Sequence, residues 1–187
     1  MVGNDIVDIS EAKSRSDWQR PRYLDKLFTT QEQAYIHKSE DSFRTVWRLW
    51  TMKEAAYKLH TQLNPGRFYN PRAFECTIAG NSGQVVFNDH RYFVATRITS
   101  DYILSEARLE SNNLISKVIV FETDDCQEQG EYLKAKALEL VADAQDVPVE
   151  DLRLETSDYG IPKIIYNSKV ISLSLTHHGH FGAFAIS

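Results

Sequence analysis

Two stretches of this chain repeat each other at a fixed spacing, and that constrains the fold more than any other feature. Val85-Val86-Phe87-Asn88 lies over Ile164-Ile165-Tyr166-Asn167, 79 positions further on, and at the same shift Tyr102 meets Phe181 and Ala107 meets Ile186. No gap is needed to join the matches. A period of this length reads as two related structural units. Chance alignment of strands with similar composition is the bland alternative. The 187 residues suit one large domain or two small fused ones. The repeat favours α+β, with two similar α/β halves joined near 111–113, the first over 1–111 and the second over 114–187.

Local signals fill in each half. Val2-Gly3-Asn4-Asp5-Ile6-Val7-Asp8-Ile9 is rich in β-branched residues and reads as a strand, with Gly3 permitting close backbone approach. Ser10 looks like a helix start, limited by Pro21. Thr29 and Glu32, three apart, form a capping box that opens a helix through about 37. Over 43–59 the apolar residues Val46, Trp47, Leu49, Trp50, Ala55, Ala56 and Leu59 recur mostly at three- and four-residue steps, the mark of an amphipathic helix. Asn64-Pro65-Gly66 closes that region. Strands are expected over 74–78, 85–87, 92–98 and 103–109. The second half gives a strand over 114–121, a helix over 131–144, and strands over 152–155, 163–166, 170–175 and 182–186.

Composition removes several function classes. A formal net charge of −5 argues against a general nucleic-acid binder. No run approaches the roughly 18 apolar residues of a membrane span, and the N-terminus lacks the layout of a signal peptide. Cys76 and Cys126 are the only cysteines, too few for a disulfide framework or a zinc pattern. A reducing, cytoplasmic setting is the simplest inference.

Two clusters carry chemistry. Glu54 and Lys58 sit four residues apart, on one helix face, and in isolation such a pair is a surface ion pair. Here apolar neighbours surround it. A strand carboxylate, Asp5, with a helix carboxylate, Glu54, is what a magnesium site uses when substrate phosphates supply further oxygens. Lys58 then serves as a point charge on phosphate. Asp8 has its own bland reading, as a cap on the next helix. Near the C-terminus, His177, His178 and His180 crowd together, but adjacent strand side chains point to opposite faces, which disfavours a shared metal. A turn offering Thr176 and His177 to an anionic ligand fits better, beside the alternative of an exposed hairpin.

Together these segments resemble the 4′-phosphopantetheinyl transferases. The family's Gly-x-Asp-Ile strand is matched by Gly3-Asn4-Asp5-Ile6, and its aromatic-x-x-Lys-Glu-Ala/Ser-x-x-Lys helix by Trp50-Thr51-Met52-Lys53-Glu54-Ala55-Ala56-Tyr57-Lys58. Its Gly-Lys-Pro loop and Ser-Leu-Ser/Thr-His strand end are matched by Gly160-Ile161-Pro162 and Ser174-Leu175-Thr176-His177. Phe28-Thr29-Thr30-Gln31-Glu32 is similar to the Phe-Thr-x-x-Glu helix start of holo-acyl-carrier-protein synthases.

The resemblance implies Mg²⁺-dependent transfer of 4′-phosphopantetheine from coenzyme A to a serine of an apo acyl or peptidyl carrier protein, as in fatty-acid biosynthesis. It implies Asp5 and Glu54 as metal ligands, Glu54 as base, Lys58 on the transferred phosphate, and Thr176 with His177 on the nucleotide end of coenzyme A. Small members assemble as trimers, whereas larger ones fuse two halves with the His loop first. Here the acids come first and the His loop last, so the expectation is a monomeric pseudodimer of swapped order. Ile98 replaces His177 at the repeat spacing, so one competent site is expected per chain. There are departures from the family pattern. The Gly-Lys-Pro lysine is Ile161, with Lys163 as a doubtful substitute, and Val7 stands where the larger type has a second acid. The basic residues Lys13, Arg15, Arg20 and Arg22 could meet an acidic carrier helix. A non-catalytic coenzyme A or carrier-binding module of the same fold is the alternative.

Overall fold

The computed structural model describes residues 1–66, 68, 70–109 and 114–187; the expected junction at 111–113 lies outside them. Each half has the same plan. In the first, β1 (Val2–Asp8) is followed by α1 (Ile9–Arg15), α2 (Tyr23–Leu27), α3 (Thr30–Lys38) and α4 (Ser42–Leu63). A meander of β2 (Glu75–Ala79), β3 (Ser82–Phe87), β4 (His90–Ile98) and β5 (Tyr102–Arg108) then returns to pair with β1. In the second, β6 (Ile115–Val120) leads into α5 (Cys126–Gln145). The meander β7 (Leu152–Thr156), β8 (Pro162–Tyr166), β9 (Lys169–His178) and β10 (Phe181–Ile186) returns to β6. The two five-stranded antiparallel sheets have orders β1-β5-β4-β3-β2 and β6-β10-β9-β8-β7. This is the expected α+β fold with two similar halves.

The repeat is visible down to the backbone. The turns β3–β4 and β8–β9 are two-residue hairpins closed by Phe87–His90 and Tyr166–Lys169. Each places its asparagine in the left-handed region, Asn88 at φ 50° and Asn167 at φ 51°. Asparagine tolerates that conformation better than most side chains. The spacing of 79 holds across these hairpins, but α1, α2 and α3 have no counterpart between β6 and α5.

Several boundaries differ from the sequence expectation for local reasons. Asp8, not Ser10, caps α1, its Oδ1 accepting from the N–H groups of Ser10 and Glu11. The Thr29/Glu32 capping box is present as expected. Helix α5 starts five residues before 131, because Asp125 caps it and Gly130 is tolerated inside the second turn. Strand β9 runs on through His178, so Thr176 and His177 lie in the strand, not in a turn.

Every residue of β1 is buried, so the strand shows no polar–apolar alternation. One face lies against α4. There a Cβ on Gly3 would be driven into the Ala55 carbonyl oxygen, so only glycine allows strand and helix to approach this closely. The opposite face packs on the second half, where Ile6, Leu104 and Ala183 form a buried cluster flanked by Tyr102, Val118 and Phe181. Each fully buried Ile or Leu contributes about 1.5–3 kcal/mol. The first core gathers Phe28, Ile36, Leu49, Met52, Phe74 and Tyr92 between its helices and sheet. The second gathers Phe121, Leu133, Val141, Leu173 and Phe184 around α5.

Candidate active site

Strand β1 is an edge strand, since only β5 pairs with it. Unpaired edge groups must find partners when buried. They find them in side chains of β9. The backbone N–H of Asn4 donates to Ser174 Oγ (3.0 Å), that of Ile6 to Thr176 Oγ1 (3.4 Å), and that of Asp8 to His178 Nδ1 (3.1 Å). Ser174, Thr176 and His178 alternate along β9 and so share a face. At the far end Gln62 accepts from the Val2 N–H and donates from Nε2 to the Val2 and Leu173 carbonyl oxygens. The seam between the halves is therefore polar and closely bonded.

The predicted site residues lie on this seam. Asp5 is 8% exposed and opposes Ser105 on β5. Its Oδ1 accepts from Thr176 Oγ1 at 3.0 Å and from Lys58 Nζ at 3.0 Å. Lys58 Nζ also donates to the carbonyl oxygens of Asn4 (2.9 Å) and Leu175 (3.3 Å), so one ammonium touches both halves. Glu54 lies one turn earlier on α4, partly buried and engaged. Its neighbour Lys53 turns away into the core. There its ammonium meets both carboxylate oxygens of Glu32, at 2.7 and 2.8 Å, and the Phe74 carbonyl oxygen at 2.6 Å. The 100° step between adjacent helix residues splits this Lys-Glu pair between core and site.

His177 stands on the other face of β9 from Thr176. Its Nδ1 is 3.1 Å from Gln129 Oε1, and its ring meets Phe121 edge-on. Partial burial holds its pKa below the usual value, and the positive charge of Lys58 and the nearby His178 push the same way. Lys58 thus couples electrostatically to His177 as well as to Asp5. The imidazole lines a cavity of about 390 Å³ together with Glu11, Arg15, Gln129, His178 and His180. Asp5, Lys58 and Thr176 are hydrogen-bonded together, with Glu54 on the same helix as Lys58. His177 lines its cavity on the other face of β9, and among the described residues Asp5, Lys58 and Thr176 are not part of that lining. The three histidines line this one cavity with different partners: His178 accepts from the Asp8 N–H, and His180 lies 3.5 Å from Asp124. Among the described residues there is no group of three metal-ligating side chains.

The basic stretch divides. Arg15 pairs with Glu11 at 2.9 Å beside His177, whereas Arg20 and Arg22 line a separate cavity of about 520 Å³ with Trp18 and His37. Lys163 pairs with Glu155 across the β7–β8 hairpin, with no bond to the His177 cavity among the described residues. Gln129, Gln62 and Ser174 were not singled out from sequence. Gln129 had a signal: it heads the stripe Gln129, Leu133, Ala137, Val141 on α5, a polar residue at a core position.

The carboxylates of Asp5 and Glu54 are oxygen donors of the type that suits a hard cation. Both recorded partners of Asp5 use Oδ1, and Asp5 with Glu54 offers hard carboxylate oxygens of the kind Mg²⁺ accepts beside phosphate oxygens. No helix among the described residues is long and apolar enough to cross a membrane. A family model described as the 4′-phosphopantetheinyl transferase superfamily matches residues 1–110. No curated protein matches the chain.

Proposed function

Because the chain belongs to the 4′-phosphopantetheinyl transferase superfamily, we propose that it transfers the 4′-phosphopantetheine arm of coenzyme A to a serine hydroxyl of an apo acyl or peptidyl carrier protein. One observation carries this reading: Asp5 of the first half and Thr176 of the second are joined at Asp5 Oδ1, with the Lys58 ammonium on the same oxygen. A charged site built across the seam suits a substrate whose reacting centre is a pyrophosphate.

The serine oxygen attacks the phosphorus that carries the pantetheine arm, and the bond from that phosphorus to the bridging oxygen breaks. Adenosine 3′,5′-bisphosphate leaves. Glu54 takes the serine proton. Lys58 balances charge on the transferred phosphate, and the site orients the incoming hydroxyl. Asp5 and Glu54 would hold Mg²⁺, which when bound neutralises pyrophosphate charge. His177 and Thr176 hold the nucleotide end of coenzyme A. The basic residues Lys13, Arg15, Arg20 and Arg22 are the proposed meeting surface for an acidic carrier helix, with Arg20 and Arg22 apart from the His177 cavity. Two free cysteines, Cys76 buried and Cys126 exposed, fit a reducing, cytoplasmic compartment.

The test is incubation with Mg²⁺, coenzyme A and several apo carriers, read by mass spectrometry. A phosphopantetheine mass gain on at least one carrier is expected, and Glu54→Gln should lower its rate at least about 100-fold, the lower end of what general-base catalysis contributes. Coenzyme A binding with no mass gain on any carrier would leave a binding module and remove the transferase.

A further inference from the structure

Asp8 is almost fully buried (1%), and its carboxylate is shared between two parts of the molecule. Oδ1 accepts from the N–H groups of Ser10 (2.8 Å) and Glu11 (3.1 Å), fixing the start of α1. Oδ2 accepts from the His180 N–H at 3.0 Å, in the turn between β9 and β10. The Asp8 N–H in turn donates to His178 Nδ1. Helix α1 supplies Glu11 and Arg15 to the cavity beside His177, and the end of β9 and the turn after it supply His178 and His180. One carboxylate thus ties both walls, one oxygen to each.

The turn is shaped to this contact. Gly179 has φ +57°, and a Cβ there would lie 2.5 Å from Asp8 Oδ2 and 2.9 Å from Asp8 Cβ. Only glycine lets the turn close over the carboxylate. Gln129 secures the turn from the opposite side, donating to the Gly179 carbonyl oxygen at 3.0 Å while facing His177.

We propose that Asp8 is a positioning residue that sets the separation of the two walls of the His177 cavity, and through it the affinity for the nucleotide end of coenzyme A. This rests on the reading of that cavity given above. Asp8 touches neither metal nor reacting atoms in this account. It acts through His177, His178 and Arg15.

Asp8→Asn isolates the effect. The amide oxygen can still cap α1, but its NH₂ group faces the His180 N–H, donor against donor, so one wall is released and the other kept. KM for coenzyme A should rise about tenfold with kcat and the Mg²⁺ concentration for half-activity within about twofold, because binding geometry is lost but no reacting group is. Gly179→Ala, which pushes the turn off an intact carboxylate, should give the same split and serves if the first variant does not fold. An unchanged KM with unmoved His177 ring resonances in the ligand-free protein would reduce Asp8 to a helix cap and overturn the proposal. So would a collapse of kcat or a raised Mg²⁺ requirement, which would make Asp8 part of the reacting centre. The His177 ring resonances of the ligand-free protein separate the two readings. If they move in Asp8→Asn while KM stays, the clasp stands and the nucleotide is elsewhere.

Discussion

At the scale of single residues, the site depends on side chains whose neighbours fix their charge state. Buried Lys53 and Glu32 neutralise each other, and Glu32 also accepts from the Cys76 N–H at 2.7 Å and closes the α3 capping box. Breaking one member of such a pair costs about 3–5 kcal/mol, so the conspicuous lysine beside Glu54 is a fixture of the core. His177 is held in the opposite manner. Partial burial, Lys58 and His178 all disfavour its protonated form. In the unfolded chain the imidazole takes a proton near pH 6.5, and in the folded protein only at lower pH. Between those two values the unfolded state binds more protons, so stability is fully present above about pH 6.5 and falls as pH drops through the folded value. His60 shares the direction through burial and His90, and it is the internal comparison. The melting temperature of His177→Ala should therefore fall less between about pH 7 and pH 5 than that of the wild type. Equal falls in the two proteins would mean that the folded state does not perturb this ring.

At the scale of elements, β1 explains why the seam between the halves is so specific. A fully buried edge strand needs partners for its outer N–H groups, and β9 offers them from alternate side chains rather than from its backbone. Ser174 and Thr176 do the same structural work, but only Thr176 also bonds to Asp5. Ser174→Ala and Thr176→Val should each lower unfolding free energy by about 1–3 kcal/mol, the cost of an unpaired buried donor. Only Thr176→Val should also lower kcat/KM. Equal effects on turnover would show that the seam matters to activity merely by holding the halves together. Much of this was legible in advance. The β-branched run at β1, the capping box of α3 and the period of α4 are local signals, and they put Asp5 on a strand and Glu54 and Lys58 on a helix, as the structure has them. What is long-range was not legible. Gln129 escaped because Gly130 hid the first turn of α5. Thr176 and His177 were expected in a turn because strand β9 continues past Leu175 only where β10 and β1 give it partners. The role of Asp8 required knowing that His180, 172 residues away, comes within hydrogen-bond reach.

At the scale of the whole molecule, repeat partners from the two halves meet at the junction between them, but the packing of β1 on β9 and β10 is not repeated to the same extent between β6 and β4 or β5. Tyr102 and Phe181 are repeat partners, and their rings lie 5.3 Å apart; Leu104 and Ala183, also 79 apart, share the buried cluster between the halves. Equivalent residues touch each other only along a twofold axis. Exact twofold symmetry would place a second seam between β6 and β4, and the sequence does not repeat the residues of the first. At the repeat spacing Glu54 and Lys58 fall on Leu133 and Ala137, both buried in the second core, and His177 falls on Ile98. The counterparts of Ser174, Thr176 and His178 are Ala95, Arg97 and Thr99. Arg97 lies over the Tyr102 ring, and Thr99 bonds within its own turn, so neither repeats the β9 contacts. On the proposed reading both walls of the site come from one chain, so the expected active species is a monomer. Calorimetric titration with coenzyme A should then give one site per chain, and sedimentation should find an active monomer. Two equivalent sites per chain, or activity confined to a trimer, would mean that the second seam or another subunit completes the site.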